Sequence, residues 1–227
     1  MKELSLSPTA LVSASEPDAR ATWSDSGYAT LDQVITEPDA HRVGLELFLL
    51  STMGHMTRRD SQSDRHWLYN GTRGEELLNL CESLVVQLVG AEVLPTYSYS
   101  VIYEPGSDLP AHRDRHACEV SMTIPLVAID PSPDPQALLR ERQEFGSSNL
   151  DWPLKLQTPT GARIDASFAP GSAVVYKGLE LLHWRDPLVG ARAVAVFLHY
   201  VLRDGRFADH ANDFRPACCS GYGTRSG

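Results

Sequence analysis

The second half of the chain constrains the fold most, because it is dense in residues that favour β-strands. β-Branched and aromatic residues fill segments separated by turns that contain Gly, Pro or Asp. These segments cover 96–103, 119–129, 154–158, 172–177 and 191–201. Helix-like periodicity precedes them and does not alternate with them, so a parallel βαβ sheet is not expected. We therefore predict a mainly β domain, a sandwich or barrel braced by N-terminal helices.

Two helices are predicted before the strands begin. One starts at Glu37, with Pro38 in the first turn, where its missing N–H has no helical partner to lose. The clearer one is TRGEELLNLCESLVVQLVG, in which Thr72 and Glu75 stand in a capping-box pattern and Gly90 ends the helix. The polar stretch between the two helices, 55–70, is expected to be a loop.

Changes in composition and in apolar periodicity along the chain set the expected boundaries of the domain. The N-terminal segment is rich in Ser, Ala, Asp and Thr and lacks apolar periodicity, so we predict that it is flexible, with local packing through Trp23 and Tyr28 as an option. A Pro-punctuated excursion over 131–151, with a short helix around 136–145, interrupts the strands; this insertion and the 55–70 loop could form a lid, or could equally have no role at the site. The predicted parts are a lead-in over 1–30, one domain over 31–205 with helices in 37–90 and a strand core in 94–202, and a tail over 206–227.

The composition excludes several classes of function. A chain of 227 residues with 42% hydrophobic and 22% charged residues suits one soluble domain. Its net charge of -9 argues against nucleic-acid binding, which needs a concentrated basic patch. No apolar run approaches the roughly 20 residues of a membrane span. The N-terminus also lacks the apolar region of a secretory signal, so we expect a cytoplasmic location.

The four cysteines have no spacing typical of a disulfide framework or a zinc ribbon. Cys218 and Cys219 are adjacent in the tail, where they could be a ligand pair, a redox pair or two incidental thiols.

The most informative stretch is YEPGSDLPAHRDRHACE, which places His112 and Asp114 two residues apart after a strand and a turn. On extended backbone, residues i and i+2 project to the same face, so one imidazole and one carboxylate can grip one ion. A second imidazole would complete the facial triad of two histidines and one carboxylate that is typical of non-heme iron(II) oxygenases. The alternative is a surface turn in which Asp114 pairs locally with Arg113 or Arg115.

A second segment offers the missing imidazole. His183 follows a strand–Gly–turn element, and Arg192 comes nine residues later near the start of another apolar strand. An arginine within an apolar strand is costly unless its charge is paired, and a dicarboxylate in the barrel would pair it through two hydrogen bonds. The alternative is an edge position in which Arg192 faces solvent.

These segments together resemble a known family. YEPGSDLPAHRD, followed by PGSAVVYKG, His183 and Arg192, is similar to the iron(II)- and 2-oxoglutarate-dependent dioxygenases, most closely their prolyl-hydroxylase-like branch. The resemblance covers 94–202, and it implies a double-stranded β-helix, or jelly roll, with the site at its mouth. It further implies that His112, Asp114 and His183 are the catalytic iron ligands.

The resemblance also implies how the cosubstrate is held. Arg192 would bind the distal carboxylate of 2-oxoglutarate, and Tyr103 would donate a hydrogen bond to it, with Tyr99 as a further candidate. Tyr97, Tyr99 and Tyr103 share one face of their strand, which suits either a pocket or simple core packing. In the strand after the metal pair, Ser121 and Thr123 share one face, and the sequence does not tell which face points inward.

The expected function is hydroxylation of an unactivated C–H bond with iron(II), 2-oxoglutarate and O2. Related halogenases have a small residue at the carboxylate position, so Asp114 argues against halogenation. Charged residues flank the ligands, which suits a small zwitterion such as an amino acid, or equally an internal network of ion pairs; a peptidyl residue is the main rival substrate. The other classes are a cupin-like metalloenzyme that does not use 2-oxoglutarate and a non-catalytic jelly-roll binding module.

Overall fold

The computed structural model describes residues 3–7, 10, 14, 17–60, 62–130 and 150–213. More of them lie in antiparallel strands than in helices. The helices are α1 (Pro17–Ser26), α2 (Glu37–Thr52) and α3 (Thr72–Val89), with a 3-10 turn at Ala208–His210. The strands are β1 (Tyr28–Leu31), β2 (Thr57–Arg58), β3 (Arg65–Tyr69), β4 (Val93–Tyr103), β5 (Leu109–His112), β6 (Val120–Ile129), β7 (Leu150–Gln157), β8 (Arg163–Phe168), β9 (Ala173–Tyr176), β10 (Leu182–Arg185) and β11 (Arg192–Leu202).

The strands form two sheets, as the predicted jelly roll requires. The larger sheet has the order β1-β9-β6-β11-β4-β3-β2 and the smaller one the order β5-β10-β7-β8. Side chains of both sheets meet in an interior cluster that includes Tyr103 and Phe197 from the larger sheet and Trp152 and Phe168 from the smaller one. The mainly β fold predicted from the sequence is confirmed.

The helices cover the outer face of the larger sheet. α2 packs on β6, and α3 packs on β4 and β11. All residues of β6 are buried, because one of its faces meets the helices and the other meets the interior. The resulting core is formed by apolar residues of the helices and of the outward strand faces, among them Leu77, Leu84, Met122, Ile124 and Val196.

The helix ends agree with their sequence signals in all but one detail. Thr36 caps α2 by accepting a hydrogen bond from the Asp39 backbone N–H at 3.3 Å. Gly90 ends α3 with a φ of 74°, in the left-handed region that glycine favours. The predicted cap at Thr72 is one residue off, because Gly71 is the N-cap residue and makes no side-chain cap bond.

Two segments are more ordered than the sequence suggests. Within the lead-in predicted to be flexible, α1 buries Trp23 and β1 pairs with β9. Within the stretch expected to be a loop, β2 and β3 extend the larger sheet beyond β4. The packing of Trp23 and Tyr28 had been an option, but the helix and the strands themselves were not predicted, because these segments are polar or partly exposed and depend on contacts distant in sequence.

Part of the predicted tail also packs on the domain, since Phe207 and Asp213 are buried. The core of the excursion, 131–149, lies outside the described residues, as do its predicted helix and the pair Cys218 and Cys219. Among the residues that the structure covers, no helix is both long and apolar enough to span a membrane.

Gly171 offers a test of the packing between α2 and the larger sheet. Its φ is 82°, and a Cβ built there would lie 2.4 Å from the Ile35 carbonyl oxygen. Gly161 has a similar φ of 85° with no atom within 4 Å of such a Cβ. We expect Gly161→Ala to lower the free energy of unfolding by about 1 kcal/mol through backbone strain, and Gly171→Ala by about 2 kcal/mol, because the clash adds to the strain. Urea unfolding of both variants measures the difference, and equal losses would contradict the packing.

Candidate metal centre

Strand pairing brings together the two histidines that the sequence singled out. β5 ends at His112, β10 contains His183, and the two residues are direct partners in the antiparallel register. Their ring centroids are 4.2 Å apart. His183 is buried and His112 is half-buried, so the pair lies at the boundary between the interior and the surface.

Asp114 completes the group directly after β5. Its Oδ1 lies 3.7 Å from His112 Nε2 and 3.5 Å from His183 Nε2. One donor atom from each of the three residues lies within 4.8 Å of the others. The expected juxtaposition of His112, Asp114 and His183 is therefore present, with two nitrogen donors and one oxygen donor facing one point.

The second ring nitrogen of each histidine is held by a backbone carbonyl. His112 Nδ1 lies 2.8 Å from the Pro110 oxygen, and His183 Nδ1 lies 3.0 Å from the Leu181 oxygen. A carbonyl only accepts, so each Nδ1 must carry the hydrogen in these contacts. The lone pair is then on Nε2, the atom that faces Asp114, and this is the tautomer that a metal ligand needs.

Asp114 is held from its other side. Its Oδ2 accepts a 2.6 Å hydrogen bond from Ser121 Oγ, and Ser121 Oγ lies 3.0 Å from Nδ1 of the buried His199. Its backbone N–H donates to the Gly178 carbonyl at 2.9 Å. A Cβ on Gly178 would come within 2.4 Å of Asp114 Oδ2. The carboxylate is therefore oriented before any ion binds.

Electrostatics keep these groups in the protonation states that metal binding requires. Burial alone would raise the pKa of Asp114, but its neighbours His183, His199 and Ser121 lower it to about 2. Burial and the neighbouring His183 lower the pKa of His112. Near neutral pH, Asp114 is thus an anion and His112 is neutral, which are the forms that bind metal.

A second group of metal-binding residue types shares the same carboxylate. It consists of Asp114, Cys118 and His199. Burial raises the pKa of the Cys118 thiol, which lies 3.0 Å from the Tyr97 hydroxyl, and His199 already contacts Ser121. Because a thiol binds metal as the thiolate, this group is the poorer donor set at neutral pH.

Comparison with known proteins supports the fold through structure alone. No protein-family profile and no curated protein matches the sequence. Solved structures do match. A prolyl-4-hydroxylase from Pseudomonas putida matches with a TM-score of 0.62 and 13% identity, covering 82% of this chain and 98% of that one. A prolyl hydroxylase from Trichoplax adhaerens matches with a TM-score of 0.61 and 12% identity, covering 86% and 91%.

A third match is the non-heme alpha ketoglutarate dependent carbocyclase SnoK from nogalamycin biosynthesis, with a TM-score of 0.60 and 13% identity over 82% of this chain and 83% of that one. The chain has the fold of the iron(II)- and 2-oxoglutarate-dependent oxygenases. The resemblance to the prolyl-hydroxylase-like branch, inferred from sequence motifs, is confirmed at the level of the fold.

Within this oxygenase fold, Tyr103 and Tyr99 both face the interior between the sheets. Tyr103 is fully buried, and its hydroxyl accepts a hydrogen bond from Arg65 Nη1. Tyr99 donates to Asp60 Oδ2 at 2.9 Å. Arg65 also pairs with Asp60, so these residues form one polar network on the wall of the interior between the two sheets. Arg65 and Asp60 were not anticipated, because they lie in the stretch expected to be a loop.

Arg192 is placed differently from the sequence-based expectation. Alternate residues of β11 such as Ala193 and Phe197 belong to the interior cluster, whereas Val194 belongs to the core beneath the helices. Arg192 lies on the helix side, where its Nε is 2.8 Å from Glu104 Oε2 and its guanidinium lies 5.7 Å from the centre of the Phe48 ring. It does not point into the interior between the two sheets, so its expected contact with a cosubstrate has no support from its position.

An open cavity of about 380 Å³ adjoins the metal-binding residues. It is lined by Asp114, Arg115, His116, Leu179, Arg206 and Phe207. Two of these residues come from the segment that had been assigned to the tail, which sequence patterns alone did not connect with the site. The cavity leaves one side of the Asp114 carboxylate open to solvent.

Proposed function

We propose that this protein is an iron(II)- and 2-oxoglutarate-dependent oxygenase whose metal is held by His112, Asp114 and His183. The observation that carries the proposal is the converging donor set, in which both Nε2 lone pairs and one carboxylate oxygen face the same point. Two imidazoles and one carboxylate leave coordination positions open and are typical of iron(II) oxygenases.

The residues present fit the metal, because the donors are of the right type and in the right protonation state. Bound there with 2-oxoglutarate and O2, the iron would supply the oxidising power to hydroxylate an unactivated C–H bond. The role of the chain's own residues is to hold the metal ligands in position. Pro110 and Leu181 carbonyls orient the imidazoles, and Ser121 orients the carboxylate. A carboxylate at position 114 favours hydroxylation over halogenation.

The substrate we propose is a small polar molecule such as an amino acid, with a peptidyl residue as the alternative. A cavity of about 380 Å³ falls in the range of small-molecule sites. Its rim carries cationic Arg115 and Arg206 near the anionic Asp114, so opposed charges are available to a zwitterion. Arg115 also pairs with Asp213, which leaves Arg206 as the more adaptable of the two cations.

The first experiment is an anaerobic titration of the protein with iron(II), with and without 2-oxoglutarate. We expect a visible metal-to-ligand charge-transfer band that needs protein, iron and 2-oxoglutarate together, because bidentate binding of the keto acid to iron(II) creates it. Iron with 2-oxoglutarate but no protein is the blank. Succinate formation in air, in the presence of candidate amino acids and short peptides, then identifies the substrate class.

Two other outcomes would contradict the proposal. Tight iron binding without the band would indicate a metalloenzyme that does not use 2-oxoglutarate. Absence of iron binding would indicate a jelly-roll binding module that keeps the residues without the activity.

A further inference from the structure

Arg185 is a buried cation for which the described part of the chain supplies no carboxylate. Its side chain is 3% exposed. Nη1 donates to the Trp152 carbonyl, while Nε is buried and meets no hydrogen-bond partner among the described residues. The guanidinium lies 4.4 Å from the centre of the Trp152 ring and 5.9 Å from that of Phe168. A charge in such surroundings is costly unless an anion joins it.

The other buried cations of the described residues are all matched with acids. Arg65 pairs with Asp60, and Lys155 pairs with Asp186. Arg73 pairs with both Glu46 and Glu76. Arg185 is thus the exception within a chain whose acidic residues outnumber its basic ones by 29 to 20. Its lack of a partner is therefore not explained by a shortage of carboxylates.

Arg185 lines a cavity together with Thr123. This cavity, of about 60 Å³, lies between the two sheets, has Leu154, Ala166 and Val174 among its apolar walls, and includes the exposed Asp32 in its lining. The Thr123 hydroxyl is buried and lies beside the hydroxyl of Tyr176. A buried water needs roughly 10–15 Å³ of cavity volume, so this cavity has room for about four waters. It thus offers space, a guanidinium and a hydroxyl donor, which is the set that one carboxylate group needs.

The position of Arg185 relates this cavity to the metal-binding residues. Arg185 follows His183 by two residues on β10, so both side chains project toward the interior. At about 3.3 Å per residue, their backbones are about 7 Å apart. Across the interior, Thr123 follows Ser121, the partner of Asp114, by the same interval on β6. On both facing strands, the cavity residue therefore lies two positions deeper in the interior than the residue at the metal centre, His183 on β10 and Ser121 on β6. This depth suits the far end of a five-carbon dicarboxylate.

We propose that Arg185, assisted by Thr123, binds the distal carboxylate of 2-oxoglutarate, the role for which the sequence pattern had indicated Arg192. The inference rests on the proposed function, because it assumes that 2-oxoglutarate binds iron at the metal centre. It assigns the selectivity for a dicarboxylate to the strand that carries His183. Arg192, paired with Glu104 on the helix side, keeps a structural role.

The test compares two keto acids in the anaerobic charge-transfer titration. 2-Oxoglutarate carries the distal carboxylate, and 2-oxopentanoate has the same carbon chain without it. We expect Arg185→Gln to weaken 2-oxoglutarate binding at least about 30-fold and to leave 2-oxopentanoate binding nearly unchanged, because only the lost ion pair differs. Arg192→Gln is the matched control, and its preference between the two acids should stay that of the wild type.

Further variants separate charge from packing. Arg185→Lys keeps the charge and should retain part of the preference for 2-oxoglutarate, and it also serves if Arg185→Gln does not fold. Thr123→Val should weaken 2-oxoglutarate binding by a smaller factor, about 3- to 10-fold, because one neutral hydrogen bond is lost. Iron affinity without a keto acid, measured in parallel, should be close to that of the wild type in all these variants.

The outcomes distinguish this inference from the proposed function. A wild-type protein that binds iron but gives no band overturns the proposed function and the inference with it. If the wild-type band forms but Arg185→Gln weakens both keto acids equally, or weakens neither, only the assignment of Arg185 is overturned. A selective loss in Arg192→Gln would return the role to Arg192.

Discussion

Replacing Asp114 with alanine is expected to lower iron(II) affinity by at least about 100-fold and to remove 2-oxoglutarate turnover. Loss of an outer-shell partner alone typically costs 10- to 100-fold in metal affinity, so loss of a ligand should cost more. Asp114 Oδ1 faces both imidazoles, and its pKa of about 2 keeps it charged at neutral pH, so the variant loses a donor and the negative charge together. Anaerobic iron titration and oxygen consumption measure the two effects.

The matched control is Asp108→Ala, which removes an exposed carboxylate from the turn before β5. It should keep the iron affinity and the band of the wild type. Circular dichroism and thermal melting establish that Asp114→Ala is folded, which matters because Ser121 loses its carboxylate partner there. Full activity in folded Asp114→Ala would show that the metal is held elsewhere.

The candidate centre could be predicted from the sequence because its signals are local. His112 and Asp114 stand two residues apart after a turn, and that spacing alone brings their side chains to one face. His183 was indicated by its place between a Gly turn and a strong strand. Residue spacing does not predict that β5 pairs with β10. The structure shows this pairing, which sets His112 opposite His183.

The direction of Arg192 could not be predicted, because the pattern of β11 is ambiguous. Strand parity shows that Arg192, Val194 and Val196 share a face, but the intervening residues Ala193 and Ala195 are apolar as well. Helices cover one side of β11 and the interior lies on the other, so both faces are buried and neither is marked by polarity. Which face an arginine takes then depends on the position of its partner, here Glu104.

Polar interior residues were hard to identify for a related reason. Arg65, Asp60 and Tyr99 form a buried network, yet hydrophobicity assigns the first two to a loop. In the sequence, Arg185 is only one of several charged residues near His183. Burial of a charge depends on partners that lie far away in the sequence, so periodicity carries little information about it.

Acid is expected to destabilise the protein through His199, which lies behind the carboxylate of the metal centre. Burial lowers the pKa of His199 to about 4, against the opposing effect of Asp114. In the unfolded chain this imidazole titrates near 6.5. The unfolded state therefore takes up the proton first as pH falls, so the stabilisation is complete above pH 6.5 and is lost as pH falls toward 4. At about 1.36 kcal/mol per pKa unit, the loss amounts to about 3 kcal/mol.

The measurement is the free energy of unfolding in urea between pH 7.5 and 4, with chelator present so that metal binding does not contribute. His199→Asn retains a polar atom near the position of Nδ1, which contacts Ser121, but has no imidazole to protonate. Its unfolding free energy should therefore fall by about 3 kcal/mol less than that of the wild type over this range. In the folded protein, Asp114 stays ionised throughout this range, because its pKa is about 2. His116→Gln removes an exposed imidazole and should follow the wild-type curve. If His199→Asn also follows that curve, His199 does not titrate as a buried group.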